Sequence, residues 1–200
     1  MPSAIRLDTA ASLEGPVRLT TTRSIAEDFL IRRLAPLRRA HPGIDLELLA
    51  ELRVMSLARR EADIAIRLGR PADSALAGRR IGLIGYGFYA DADWCRRIAA
   101  GEPPAFVAYD PDTDFVPEAR WLAARFPGAR RAFRSNSQTG QLEAVRAGFG
   151  IALLPHYLAA PDPALRVIGL GDAPPPREVW LLVRPDLRRV PRIRAVAEAV

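Results

Sequence analysis

The segment Ser135-Asn136-Ser137-Gln138, followed by Leu142-Glu143-Ala144-Val145-Arg146-Ala147-Gly148-Phe149-Gly150-Ile151-Ala152-Leu153-Leu154-Pro155, constrains this chain more than any other. Small polar residues end a strand, and a short amphipathic helix follows. Gly148-Phe149-Gly150 then breaks the helix, and an apolar run of strand length resumes. Asn136 or Ser137 falls at the helix N-cap, which sets free backbone N–H groups beside small polar side chains. Such a corner suits a small anion or polar ligand. Leu19-Thr20-Thr21-Thr22-Arg23-Ser24 repeats the order of strand, polar turn and helix. Two matching corners in one chain imply two similar lobes facing each other across a cleft.

Two hundred residues accommodate one large domain or two lobes of about 90 residues. No apolar run is long enough to span a membrane. Met1 to Gly15 lacks the basic start and apolar core of a secretory signal, so export is not expected. The single Cys95 excludes an internal disulfide and a cysteine metal cluster. The net charge of +6 invites a nucleic-acid reading, but all 29 basic residues are arginines and the chain carries 18 prolines. That balance reads as base-composition bias. The arginine pairs at 32–33, 38–39, 59–60, 79–80, 96–97, 130–131 and 188–189 are scattered, whereas a binding face needs clustering.

The pattern predicts a first strand over Val17 to Thr21 and a helix over Ser24 to Ala40, with Phe29, Leu30, Leu34 and Leu37 on one face. Pro36 predicts a kink or a broken last turn in that helix. Ile44 to Leu49 alternates apolar and acidic residues, as a half-exposed strand does. Val54 to Arg60 reads as a short helix, and Ala62 to Leu68 as a third strand. Alternation of this kind argues for a parallel sheet. Arg79 to Ala90 is extended and glycine-bearing, and suits a segment passing from one lobe to the other. The pattern then restarts with strands at Phe106 to Tyr109, Arg131 to Arg134 and Ile151 to Leu154, and helices at Pro117 to Phe126 and Thr139 to Ala147. Leu165 to Leu170 and Glu178 to Arg184 are further strands, and Pro191 to Val200 a final helix.

Four stretches in this order carry a resemblance. They are Gly15-Pro16-Val17-Arg18-Leu19-Thr20; His41-Pro42-Gly43-Ile44-Asp45-Leu46; Arg60-Glu61-Ala62-Asp63-Ile64-Ala65-Ile66-Arg67; and Ala144 to Pro155. Together they make the chain similar to the effector-binding (LysR substrate-binding) domain of LysR-type transcriptional regulators, from Gly15 to the C-terminus. The resemblance implies an α/β fold of two Rossmann-like lobes joined by crossover strands, like a type 2 periplasmic binding protein. Residues 1–14 would end a linker helix, 15–86 with 179–200 would form lobe I, and 87–178 lobe II. It also implies a small-molecule effector in the interlobe cleft, association as homodimers or tetramers, and a cytoplasmic setting. The family's N-terminal winged helix-turn-helix has no counterpart here, so DNA contact is expected only through such a domain, absent from these residues.

Thr22, Ser24, Arg67, Phe88, Asn136 and Ser137 are the candidate effector contacts. Thr22 and Ser24 lie in the first corner, where the resemblance implies hydroxyl and amide contacts; plain helix capping is the other reading. Asn136 and Ser137 form the second corner, with the same two readings. Arg67 ends the third strand, where open α/β sheets take ligands, and its guanidinium suits a carboxylate; a solvated arginine or an ion pair with Asp63 is the alternative. Phe88, with Tyr89, stands either in an apolar cleft wall or in the core. Asp110, Asp112 and Asp114 mimic the start of a calcium loop, but the glycine and the closing glutamate are missing. Gly148-Phe149-Gly150 ends a helix and opens none, so no dinucleotide fingerprint is present. Neither His41 nor His156 has a nucleophile at a motif spacing. No cofactor or metal is called for.

The chain therefore reads as a sensor of a small carboxylate or other polar metabolite, not as an enzyme. A periplasmic-type solute-binding protein for transport is the alternative on the same architecture.

Overall fold

A computed structural model describes residues 13–50, 62–71, 77–113 and 115–200. Two five-stranded sheets divide the strands between them. The first holds β1 (Gly15–Thr21), β2 (Ile44–Ala50), β3 (Ile64–Leu68), β4 (Ala77–Ile84) and β10 (Arg177–Val183), in the order β2-β1-β3-β10-β4. The second holds β5 (Tyr86–Ala90), β6 (Phe106–Ala108), β7 (Arg131–Arg134), β8 (Ile151–Pro155) and β9 (Arg166–Ile168), in the order β7-β6-β8-β5-β9.

The two layouts are the same. In each, three strands pair in parallel, β2-β1-β3 and β7-β6-β8. The fourth position is antiparallel to both neighbours, and it is filled by β10 in the first sheet and β5 in the second. The sheets are therefore mixed, where strand–helix alternation predicts parallel pairing alone. The physical reason is the double crossing of the chain. It leaves sheet one through Gly85 between β4 and β5, and returns through residues 169–176 into β10. A strand entering beside the parallel set from the opposite lobe runs against it.

Burial explains the strands locally. In β1, Val17 and Leu19 are buried while Arg18 faces out, as a pleated strand requires. Strand β8 is buried along its whole length, because it lies between β6 and β5 and is covered on both faces. The core of the first lobe joins Val17, Leu19, Ile64 and Ile66 to Leu30 and Leu34. Helix α7 (Pro191–Ala199) adds Ile193 and Val196 to it. In the second lobe, α5 (Gln138–Arg146) packs Leu142 and Val145 against β8. The short α6 (His156–Ala159) follows β8 directly and adds Leu158 to the same cluster. Helix α4 (Pro117–Arg125) lies between β6 and β7 in sequence.

The rod after β1 runs through α1 (Arg23–Ile25), a π-helical turn (Ala26–Leu30) and α2 (Ile31–Ala40). Its irregularity is the π turn, and the helix continues through Pro36 to Ala40. A π turn accommodates one extra residue, which rotates the residues before it relative to those after it. Leu30, Leu34 and Leu37 stay buried, while Phe29 is 44% exposed and leaves the face predicted for it. Helix α3 (Ala92–Ala99), capped by the Asp91 carboxylate on the Trp94 amide, adds an element that hydropathy spacing leaves unread. The short helix at 54–60 lies outside the described residues.

Helix α5 ends in a Schellman turn: Gly148 N–H meets the Val145 carbonyl and Phe149 N–H the Ala144 carbonyl, both at 3.0 Å. Gly150 then passes so close to β6 that a Cβ would lie 2.4 Å from the Ala105 carbonyl oxygen. Gly150→Ala is expected to lower stability by about 1–3 kcal/mol, since backbone must shift to admit the methyl group. Urea denaturation measures it, and an unchanged midpoint would refute the close approach.

Candidate functional site

Ends of strands and beginnings of helices from both lobes converge on one cavity of about 350 Å³. Residues at the C-terminal ends of β1 and β3 and beyond β6 and β7 line it, together with the N-terminal residues of α1, α4 and α5. This is the place where parallel α/β sheets take ligands, because strand ends open outward and helix amides point in.

The two corners behave differently in detail. Thr22 holds the N-cap position of α1 with extended backbone, yet its side chain makes no capping bond. Its hydroxyl oxygen is buried and finds no partner among the described residues. Capping alone does not account for that hydroxyl. A buried polar atom left unpaired costs about 1–3 kcal/mol, and such atoms concentrate at functional sites. Ser137 does act as a cap: its oxygen accepts the Gly140 N–H at 3.2 Å, and its own N–H donates to the Ser135 hydroxyl at 3.1 Å. Its hydroxyl hydrogen remains able to donate. Asn136 is exposed and lines the cavity beside it.

Ser24 also lines the cavity, but its hydroxyl already links the lobes. It donates to Gln138 Oε1 at 2.8 Å and accepts from the Tyr157 phenol at 2.9 Å. Thr139 adds a longer hydrogen bond to the Asp28 carboxylate, at 3.4 Å. Arg67 is half-buried, and burial lowers its pKa. Its guanidinium donates to the Thr20 carbonyl at 3.1 Å, the Ile66 carbonyl at 3.2 Å and the Thr20 hydroxyl at 3.4 Å. Asp63 takes the Arg18 N–H at 2.9 Å and lies 3.5 Å from the Arg184 guanidinium. Phe88 is not at the cavity. It is 2% exposed and packs among Phe106, Trp121 and Phe126, with its ring centroid 5.6 Å from that of Phe126. It belongs to the core, because alternate side chains of β5, which lies between β8 and β9, turn into the aromatic cluster.

Several lining residues escape the sequence reading. Tyr86, two residues before Phe88, reaches the cavity from the start of β5. Tyr109 follows β6, and Phe115, Val116 and Glu118 surround the start of α4. Glu118 is 3% exposed and takes both its oxygens to Arg177 Nη1, at 3.1 and 3.4 Å. Arg177 Nη2 also donates to the Leu68 carbonyl at 3.0 Å. The Tyr86 phenol bonds to Glu118, and its pKa is raised by burial and by that carboxylate. Tyr109 bonds to Gln138, and its pKa is raised by burial first and by the Glu118 charge second. An acidic residue in the first turn of a helix signals Glu118 locally. Its partner, 59 positions away, has no local signal.

Fold and cavity together define a two-lobed α/β protein with a cavity where the lobes meet. The family profile of the LysR substrate binding domain matches residues 10–200, and the chain belongs to that family. It is 34% identical over 179 residues to the Mau operon transcriptional activator of Paracoccus denitrificans, covering 90% of this chain and 62% of that protein. It is 24% identical over 157 residues to an uncharacterised HTH-type transcriptional regulator of Haemophilus influenzae, covering 74% of this chain and 54% of that one. The chain thus spans about three-fifths or less of the length of these relatives. Among solved structures, the regulatory domain of CrgA from Neisseria meningitidis superposes with a TM-score of 0.76 at 17% identity, covering 94% of this chain and all of that domain. Full-length AphB of Vibrio cholerae gives 0.73 at 16% identity, covering 93% of this chain and 67% of that protein. The family is one of regulators, not of enzymes. No helix among the described residues is long and apolar enough to cross a membrane.

Burial pushes the Tyr157 phenol up to about 12. A phenol held above its ordinary value near 10 adds stability that is complete below about pH 10 and is lost as pH rises toward about 12. Stability is therefore expected to fall across that window. Tyr157→Phe should flatten the fall in part, since Tyr86 and Tyr109 act in the same direction. Denaturation midpoints measured against pH test this, and identical slopes for variant and parent would refute it.

Proposed function

We propose that this chain is the effector-sensing part of a LysR-type transcriptional regulator and that it holds a small anionic metabolite in the cavity between its lobes. One observation carries the reading: Thr22 and the Asn136–Ser137 pair, from corners of two different sheets, border the same cavity. Helix beginnings favour negative charge, and Arg23 and Arg67 add to that field. Thr22 supports the reading further, since its buried hydroxyl would gain a partner in an anion's oxygen.

Such a ligand touches both lobes, so it favours the interlobe angle at which both sets of contacts are made. The energy available is the difference in its affinity between the two arrangements. Association of the domains carries that change to DNA-contacting segments of the kind the longer HTH-type relatives are named for. The setting is the cytoplasm. No cofactor or metal takes part. The rod from α1 to α2 offers exposed Phe29 and Ile31 for a dimer contact. Sedimentation at micromolar concentration is expected to report a dimer, and a strict monomer would refute that contact.

A thermal-shift screen of small carboxylates tests the site. Thr22→Ala and Asn136→Ala are each expected to weaken the best hit about tenfold, the value of one hydrogen bond to a charged group. Without ligand, Thr22→Ala should be as stable as the parent or more so, because it removes an unpaired hydroxyl. Calorimetry showing unchanged affinity in both variants would remove the assignment.

A further inference from the structure

We propose that the cavity selects an effector with a single anionic group and an apolar, ring-sized body, and that the Glu118–Arg177 pair with the Phe115 side chain sets this preference. The inference rests on the interlobe site just described and narrows the class of its ligand.

At one end of the cavity the charges are already answered. Glu118 is the one carboxylate lining the cavity among the described residues, and it is 3% exposed. Arg177 meets both of its oxygens, and the Tyr86 phenol bonds to it as well. Arg177 Nη2 also donates to the Leu68 carbonyl. The pair is therefore neutral as a unit. A second ligand carboxylate placed here would face Glu118, whose charge already answers that of Arg177, and burying an unmatched charge is costly. A ligand ammonium would have to compete with Arg177 for the same oxygens.

Polar handles nearby are partly engaged. The Tyr86 phenol donates to Glu118, and the Tyr109 oxygen accepts from the Gln138 amide, which leaves the Tyr109 O–H as one neutral donor. The rest is ring face and hydrocarbon from Tyr86, Tyr109, Phe115, Val116 and Leu68. Phe115 is half exposed, a position that an apolar ring tolerates better when a ligand covers it. Thr22, Arg67, Asn136 and Ser137 line the same cavity and would receive the one charged group. A cavity of about 350 Å³ holds a single ring with its acid group, at the small end of ligand sites.

Calorimetry and thermal shift on this chain with benzoate, cyclohexanecarboxylate and succinate test the proposal. Both ring acids should bind in the millimolar range or tighter, with succinate at least about tenfold weaker. Glu118→Gln releases the Arg177 guanidinium and should narrow or invert the gap between benzoate and succinate by about fivefold or more. Circular dichroism establishes that the variant is folded. Phe115→Ala changes a half-exposed side chain, and should weaken benzoate about threefold to tenfold while leaving acetate unchanged. Succinate binding as well as benzoate to the parent chain overturns the proposal. So does the absence of any response to both ring acids up to about 10 mM. If succinate wins and Thr22→Ala still weakens it, the interlobe site stands and only the ligand class falls.

Discussion

A half-buried guanidinium paired with a buried carboxylate ties the molecule together where its two halves meet. Arg177 opens strand β10, the strand by which the chain returns to the first sheet. Its Nη1 is anchored to Glu118 at the start of α4 in the second lobe, and its Nη2 to the Leu68 carbonyl at the end of β3 in the first. One side chain thus joins the crossover to both lobes. A pair buried to this degree is weak as a source of net stability, but removing one partner strands a charge, at a cost of about 3–5 kcal/mol. Its contribution is therefore positional: it fixes where the return strand begins and closes one end of the cavity.

The other side of the cleft is held by neutral groups. Ser24, Gln138 and Tyr157 form a chain of hydroxyl and amide contacts between the lobes. Each such bond contributes about 0.5–1.5 kcal/mol net. The two ends of the cleft are thus closed by different chemistry, an ion pair at one and neutral hydrogen bonds at the other.

Much of this was legible in the sequence. The repeated corner predicts two lobes, and Thr22, Arg67, Asn136 and Ser137 fall on one cavity because strand ends and helix starts must meet there in any parallel βα unit. The mixed pairing was not legible, since it depends on which lobe supplies the fourth strand, a choice made far along the chain. Phe88 shows the limit of residue type as a guide. It and Tyr86 stand two positions apart on β5, and the Tyr86 side chain reaches the cavity while Phe88 fills the core. Only the packing of α4 and β6 decides between them. Phe29 shows another limit: an assumed regular helical period places it on the buried face, and the π turn removes it.

The capping readings of the two corners separate on one atom each. Ser137 uses its oxygen on the Gly140 amide, so stabilising α5 accounts for a serine there whether or not a ligand binds. Thr22 stands at the equivalent place, has the same kind of side chain, and makes no such bond. If helix stability alone governed this position, a hydroxyl turned onto the amides of α1 would serve it. The hydroxyls of Thr21 and Thr22 are both buried without a partner among the described residues, and each lowers the stability of the domain. The second corner therefore serves the helix directly, and the first leaves its hydroxyl unused by the helix it begins.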